Sequence, residues 1–378
     1  MKEGKKRNKP AASGVITLAC ALALGAGAGW LGAWAADRID FSPLLLAGTL
    51  VLAAAGMMGQ IILHEAGHLL GGLATGYAFV SFRVGSWMLL KRDGRLHLGR
   101  YTLPGTGGQC LMAPPPWKED GFPALLYNLS GPLANLLAAA GCGAAAWLCR
   151  ERAPLAALLL GVWALVGAYL GLLNGIPMKI QGMPNDGYNA LRLRRDKASL
   201  RAVWAQLAIN MAQTQGLRLG EVPEDWFSLP GDAGPTDPLK SAVWVCRYSR
   251  LLDQGRYQEA AALCDTLLKT GDLALAHRCA LQLDQAFFRL ADGEKDAVAK
   301  ALQDRTLKAF ARQMKNNPGV ALVRWAGAEA HGDAAQARKE RRALETALAS
   351  WPYPGENEAV RQQLRWYEEK RRCAQNKA

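Results

Sequence analysis

Residues 43–70 read PLLLAGTLVLAAAGMMGQIILHEAGHLL. No charged side chain occurs from Pro43 through Leu63, and then His64, Glu65 and His68 arrive within five positions. A helix needs about 20 apolar residues to cross a hydrocarbon core, so the stretch reads as a transmembrane helix carrying three ionisable groups toward its end. Each such group at membrane depth costs about 2.5 to 3.5 kcal/mol or more unless it is paired or liganded, which asks for a compensating role. Two histidines four apart share one helix face. Their imidazoles suit a single Zn²⁺, with Glu65 between them placed to act as a general base.

Outward from this segment, residues 14–36, 123–149 and 154–176 are also long and apolar enough to span, which gives about four transmembrane helices. The basic start, Lys2, Lys5, Lys6, Arg7 and Lys9, belongs in the cytoplasm by the positive-inside rule. Residues 71–122 then return there with Arg83, Lys91, Arg92, Arg95, Arg100 and Lys118, while the outer turns hold only Arg38, Arg150 and Arg152 among basic residues. On this topology both termini are cytoplasmic. An alternative takes residues 1–36 as a cleaved signal peptide ending near Ala33-Trp34-Ala35, although the apolar run exceeds the about 7 to 15 residues of a signal core. The later crossings are the same either way.

Composition divides the chain in the same place. The net charge is +13 over 378 residues, but residues 1–178 hold 14 Lys/Arg and 8 Asp/Glu, against 31 and 24 in residues 179–378. Half the residues are hydrophobic, which excludes a disordered chain, and the 40 glycines follow no collagen period. The eight cysteines form no CxxC and read as reduced packing residues. Basic residues in the tail are interspersed with acidic ones, and the clusters at residues 2–9 and 192–197 flank spans, so anionic lipid is the expected partner and nucleic acid is not.

The cytoplasmic connection, residues 77–122, carries short apolar runs at 79–84, 88–90, 95–98 and 101–103, with a turn at 91–94. It reads as a small membrane-associated β-hairpin, and the strands at 79–84 or 95–103 are expected to capture an unwound substrate by main-chain pairing. Anchoring at the interface by Trp87 is the alternative. Beyond Gly187 the pattern turns helical, interrupted by a Pro- and Gly-rich loop at 220–238, with glycine turns at Gly255, Gly293 and Gly332. Trp244, Gly255, Tyr257 and Ala260 give this region a resemblance to a tetratricopeptide unit. The division is residues 1–42 for the basic segment and first span, 43–190 for a core of three spans with the connection, and 191–378 for a cytoplasmic α-helical repeat domain. The fold class is mainly α.

A zinc hydrolase takes three protein ligands and keeps one position open. Asp186, just past the fourth span, is the best third ligand, because the antiparallel topology returns that end to the side of His64. The other acids near that face, Asp93, Glu119 and Asp120, lie in a charged connection. Asn135, Asn174 and Asn128 are polar residues in spans, with roles in the site or in bridging helices. Gly131 and Pro132 read as packing or kink residues. His97, His277 and His331 read as surface or packing residues.

Together these residues resemble the site-2 protease family of intramembrane zinc metalloproteases, over roughly residues 43–190. His64 and His68 match its ligand histidines, Glu65 its catalytic glutamate and Asp186 its aspartate ligand. Gly131-Pro132-Leu133-Ala134-Asn135 matches its Gly-Pro-x-x-Asn, and Asn174-Gly175-Ile176-Pro177 its Asn-x-x-Pro, whose asparagine is associated with holding substrate. Thr106-Gly107-Gly108-Gln109 after Leu103-Pro104 is similar to its Pro-Leu-Gly-Gly segment, which makes Gly107 and Gly108 candidate substrate-binding positions. Asp186 follows Asn174 by 12 positions, more than the family's usual spacing. The resemblance implies one zinc ion, a membrane-spanning protein substrate cut near the cytoplasmic face, release of a membrane-held regulator, and a bacterial plasma membrane. The helical tail is expected to bind a protein partner. The alternatives are another membrane metallohydrolase, peptide-processing or prenyl-protein, and a non-catalytic membrane adaptor built on the repeats.

Overall fold

The computed structural model describes residues 12–101, 107–119, 121–180, 182–193 and 195–375. The basic residues at 2–9, the positions Thr102, Leu103, Pro104 and Thr106, and also Asp120 and Arg194, lie outside the described residues. The chain forms two compact units: Met1–Tyr77 with Pro123–Ile180 and Pro184–Arg195, and Ala78–Phe122 with Gln181–Met183 and Asp196–Ala378.

The first unit contains α1 (Ala12–Ala36), α2 (Pro43–Ala74), α3 (Ala124–Cys149), α4 (Pro154–Gly175) and the short α5 (Asp186–Leu193). Ser42 starts α2, its Oγ accepting from Leu45 N at 3.2 Å, and Pro43 occupies the first turn where no amide donor is needed. The first four helices are long and apolar enough to cross a membrane. Their burial pattern is the reverse of a water-soluble bundle. Leu44, Val51, Leu137 and Leu148 point outward, whereas Gln60, His64, Glu65, His68, Asn128 and Asn135 are buried. α1 packs on α4 through Leu31, Ala35 and Leu158.

Small residues let α2 and α3 approach closely. A Cβ at Gly67 would lie 2.4 Å from Ser130 O, and one at Gly71 would lie 2.2 Å from Ser130 Oγ. Glycines four apart on one helix face are a common means of bringing membrane helices into backbone contact. The added spacing between Asn174 and Asp186 is taken up by two short paired strands, Lys179–Ile180 and Met183–Pro184.

The second unit holds a four-stranded antiparallel sheet, β1 (Ala78–Val84), β2 (Trp87–Arg92), β3 (Arg95–Arg100) and β4 (Gly108–Ala113), in the order β3-β2-β1-β4. The turn expected at 91–94 is the two-residue Asp93-Gly94 link, with both φ values positive at 51° and 75°. That geometry matches the strand twist and favours Asp-Gly. Two expectations are corrected here. The connection is a sheet of four strands and not a single hairpin, and the segment at 79–84 cannot capture a substrate strand, because β1 is already paired on both sides. β3 is an edge strand, with Leu96 and Leu98 exposed.

The sheet also groups with the tail and not with the spans. Arg92 donates from Nη2 to Pro352 O at 2.6 Å and from Nε to Thr214 O at 3.0 Å, and Tyr101 packs edge-on against Trp351 and Tyr353. Sequence proximity to the spans gave no sign of these long-range partners.

The rest of the unit is helical: α6 (Lys197–Thr214), α7 (Pro238–Asp253), α8 (Tyr257–Thr270), α9 (Leu275–Ala291), α10 (Ala297–Ala301), α11 (Arg305–Gln313), α12 (Pro318–Ala330), α13 (Ala334–Ser350) and α14 (Pro354–Gln375). Gly255, Gly293 and Gly332 each take a positive φ at the turn after α7, α9 and α12. The cores between these helices centre on Tyr248, Cys264 and Leu281, and on Phe287, Leu344 and Tyr367. All eight cysteines are free thiols.

Candidate metal centre

Helix periodicity puts His64 and His68 one turn apart on α2, and the fold brings Asp186 from the start of α5 to meet them. The two Nε2 atoms are 3.1 Å apart. Asp186 Oδ2 lies 3.1 Å from that of His64 and 3.4 Å from that of His68. Four-coordinate zinc at about 2.0 to 2.1 Å from each ligand sets its ligand atoms roughly 3.3 Å apart, so the observed triangle has the right size. Among the described residues this is the group of three His, Cys, Asp or Glu ligands able to hold a metal ion.

The opposite ring nitrogens explain why Nε2 faces the centre. Asn135 Nδ2 donates to Gln60 O at 2.7 Å and to Gln60 Oε1 at 2.9 Å, which leaves Asn135 Oδ1 to accept from His64 Nδ1 at 2.7 Å. His68 Nδ1 donates to Tyr127 O at 2.6 Å. With both protons held at Nδ1, each neutral imidazole turns a lone pair inward. Two lone pairs and a carboxylate oxygen then converge, all of them electron-pair donors. The donor set therefore fits a metal cation.

Asp186 is placed by its neighbour. Asn185 Oδ1 accepts from Tyr188 N at 2.9 Å, the N-cap bond of α5, and from Met178 N at 3.0 Å. Its Nδ2 donates to Leu173 O and Ile176 O, carbonyls at the end of α4 that have no helical amide to pair with. Asn185 thus ties the last turn of α4 to the first of α5. Gly187 allows the same closeness, since a Cβ there would lie 2.0 Å from Gly175 O.

Glu65 is buried on α2, next to His64 in sequence and within one helical turn of His68. Asn135 is fully buried and its polar atoms are turned to Gln60 and His64. Asn174 turns its amide back onto Leu170 O at 3.1 Å. Gly108 opens β4 of the second unit opposite Val84, and Gly107, just before that strand, accepts from Gly85 N through its carbonyl. Three contributors escaped the sequence reading. Gln60 stands within an apolar run, where a polar side chain one turn before His64 is a legible signal. Asn185 carried the N-cap signature just ahead of Asp186. Gly131 reads as a packing residue, and a Cβ there would lie 2.4 Å from His68 Nε2, so its smallness keeps space for the imidazole itself. Comparison with protein families, curated proteins and solved structures finds no match.

Proposed function

We propose that this chain is an intramembrane zinc metalloendopeptidase of site-2 protease type, hydrolysing a peptide bond of a membrane-spanning protein near the cytoplasmic face and so releasing a membrane-held regulator. The observation that carries the reading is the convergence of His64 Nε2, His68 Nε2 and Asp186 Oδ2 in a unit of helices long and apolar enough to span a membrane. Zinc, when bound, supplies Lewis acidity toward water and toward a peptide carbonyl. Glu65 takes a proton from the attacking water and delivers it to the leaving nitrogen, so that one water is added across the C–N bond. Asn135 and the Tyr127 carbonyl keep both histidines in the ligating tautomer. Asn174 is assigned to holding substrate.

A helical substrate must unwind before its carbonyls can be attacked, and the free edge of β3 offers main-chain groups to the unwound strand. Single proline substitutions along β3 are expected to reduce cleavage wherever they remove an outward amide, while the same scan leaving cleavage intact at every position would dismiss the capture role. The helical tail, tetratricopeptide-like around Gly255, binds a protein partner, and the basic residues Arg192, Arg195 and Lys197 lie against anionic lipid. A bacterial plasma membrane is the proposed setting.

The decisive test is Glu65→Gln. The variant is expected to retain zinc at wild-type stoichiometry and to lose cleavage. Membrane proteomes of cells carrying wild type or variant should then differ by a fragment that accumulates only with the former. A phenotype preserved in Glu65→Gln would point to the adaptor reading.

A further inference from the structure

The second unit holds a cavity of about 350 Å³, walled by α6, α7, α9, α14 and the start of α12. This lies at the lower end of the about 300 to 1,000 Å³ typical of ligand pockets. The chemistry of its wall runs against its surroundings. Residues 179–378 carry 31 Lys/Arg and 24 Asp/Glu, yet the wall contains three carboxylates, Asp253, Asp284 and Glu356, and no Lys or Arg.

Only one of the three is neutralised. Asp253 pairs with Arg218 at 2.9 Å. Asp284 accepts from Tyr248 Oη at 3.0 Å, and Glu356 from Gln213 Nε2 at 2.8 Å and Trp351 Nε1 at 2.7 Å, all neutral donors. Burial pushes both of these carboxyls up to about 7, the mark of charges that lack a counter-ion. A second feature points the same way. His277 lines the cavity, and its Nδ1 is out of contact with solvent and has no hydrogen-bond partner among the described residues. Burial depresses its pKa, so the ring is neutral and one nitrogen is an acceptor. Gln206 Nε2 donates to Ala202 O and Leu239 O, and Gln213 Nε2 to Glu356, so these amides turn their donors to protein and keep an oxygen as further acceptor capacity.

We infer that this cavity binds the guanidinium of an arginine side chain carried by a partner peptide. The inference deepens the reading that the tail binds a protein partner and supplies the chemistry that partner must present. A guanidinium brings five donors and a permanent charge to a wall that sets Asp284, Glu356 and His277 beside the amides of Asn210, Asn317 and Gln363, and its planar fork suits carboxylates. Long-range attraction does not account for such binding, because the chain as a whole carries +13 and repels cations.

The test uses the full chain in detergent, in a Glu65→Gln background so that proteolysis plays no part in the readout. The probe is a fluorescein-labelled Gly-Ala-Arg-Ala-Gly peptide followed by anisotropy, beside the same peptide with neutral citrulline in place of arginine. The arginine peptide is expected to bind at least tenfold more tightly than the citrulline one, and the Asp284→Asn/Glu356→Gln double variant to lose at least tenfold of that affinity while keeping its helical circular dichroism. Equal binding of the two peptides by the Glu65→Gln protein would overturn the inference without recourse to the double variant. Undiminished binding by a folded double variant would overturn it as well, and so would free spermidine competing as effectively as unlabelled arginine peptide, which would reassign the cavity to a polyamine. Loss of the arginine effect would leave the proteolysis reading standing, since that depends on Glu65 and the metal ligands.

Discussion

At position 131 the difference between a hydrogen and a methyl group decides whether His68 keeps its place. The methyl of Gly131→Ala would sit 2.4 Å from Nε2 of His68, against a ring already fixed on its other side by Tyr127 O. The ring cannot retreat without giving up that hydrogen bond, and overpacking of this kind costs about 1 to 3 kcal/mol. Gly131→Ala is therefore expected to weaken zinc binding at least tenfold, measured by chelator competition on detergent-purified protein. Gly59→Ala on α2 meets nothing within 4 Å and should bind zinc as wild type does. Asn135 acts at the same scale, because its amide fixes which nitrogen of His64 faces His68 and Asp186.

At the scale of elements, the junction of α4 and α5 is the least redundant part of the site. One side chain, Asn185, caps α5 and at the same time binds two carbonyls of α4. Asn185→Ala loses an N-cap worth about 1 kcal/mol together with those cross-links, and Asp186 moves with the helix end it begins. Changes to groups that orient metal ligands typically cost about 10- to 100-fold in affinity, and that range is expected here, read by the same competition assay. Asn185→Asp keeps the acceptor bonds from Met178 N and Tyr188 N but sets a carboxylate oxygen against the carbonyls of Leu173 and Ile176, so it should bind zinc no better than the alanine variant. The sheet shows how strand order redirects a function read from sequence: β1 has the more apolar strand pattern, but two flanking partners leave it no free edge, and β3 inherits the capacity to pair.

For the whole molecule, one unit is a set of helices with outward apolar side chains, and the other, which takes in the sheet of residues 78–122 with the tail, has buried apolar cores. The positive-inside arrangement gives a topology that can be measured. Reporter fusions at Asp40 and Glu151 should read as outside the cytoplasm, and fusions at Asp93 and after Arg372 as inside. Reversal of either pair would remove the proposed cytoplasmic-side cleavage.

The sequence by itself determined the four apolar helices, the two histidines and the glutamate, because helix formation, hydropathy and an i, i+4 spacing are local properties that the order of residues states directly. It also reached Asp186, since an antiparallel count of spans returns the fourth to the end where His64 sits. Tertiary structure alone decided that Gln60 stands behind Asn135, that Gly131 clears space for His68, and that the sheet joins the helical tail. It also decided that His277, which reads as a packing residue, lines a cavity beside the carboxylates of Asp284 and Glu356. Each of these depends on which distant segments meet, and the pairing of segments far apart in sequence is set by packing and hydrogen-bond satisfaction across the whole chain, which no local pattern records.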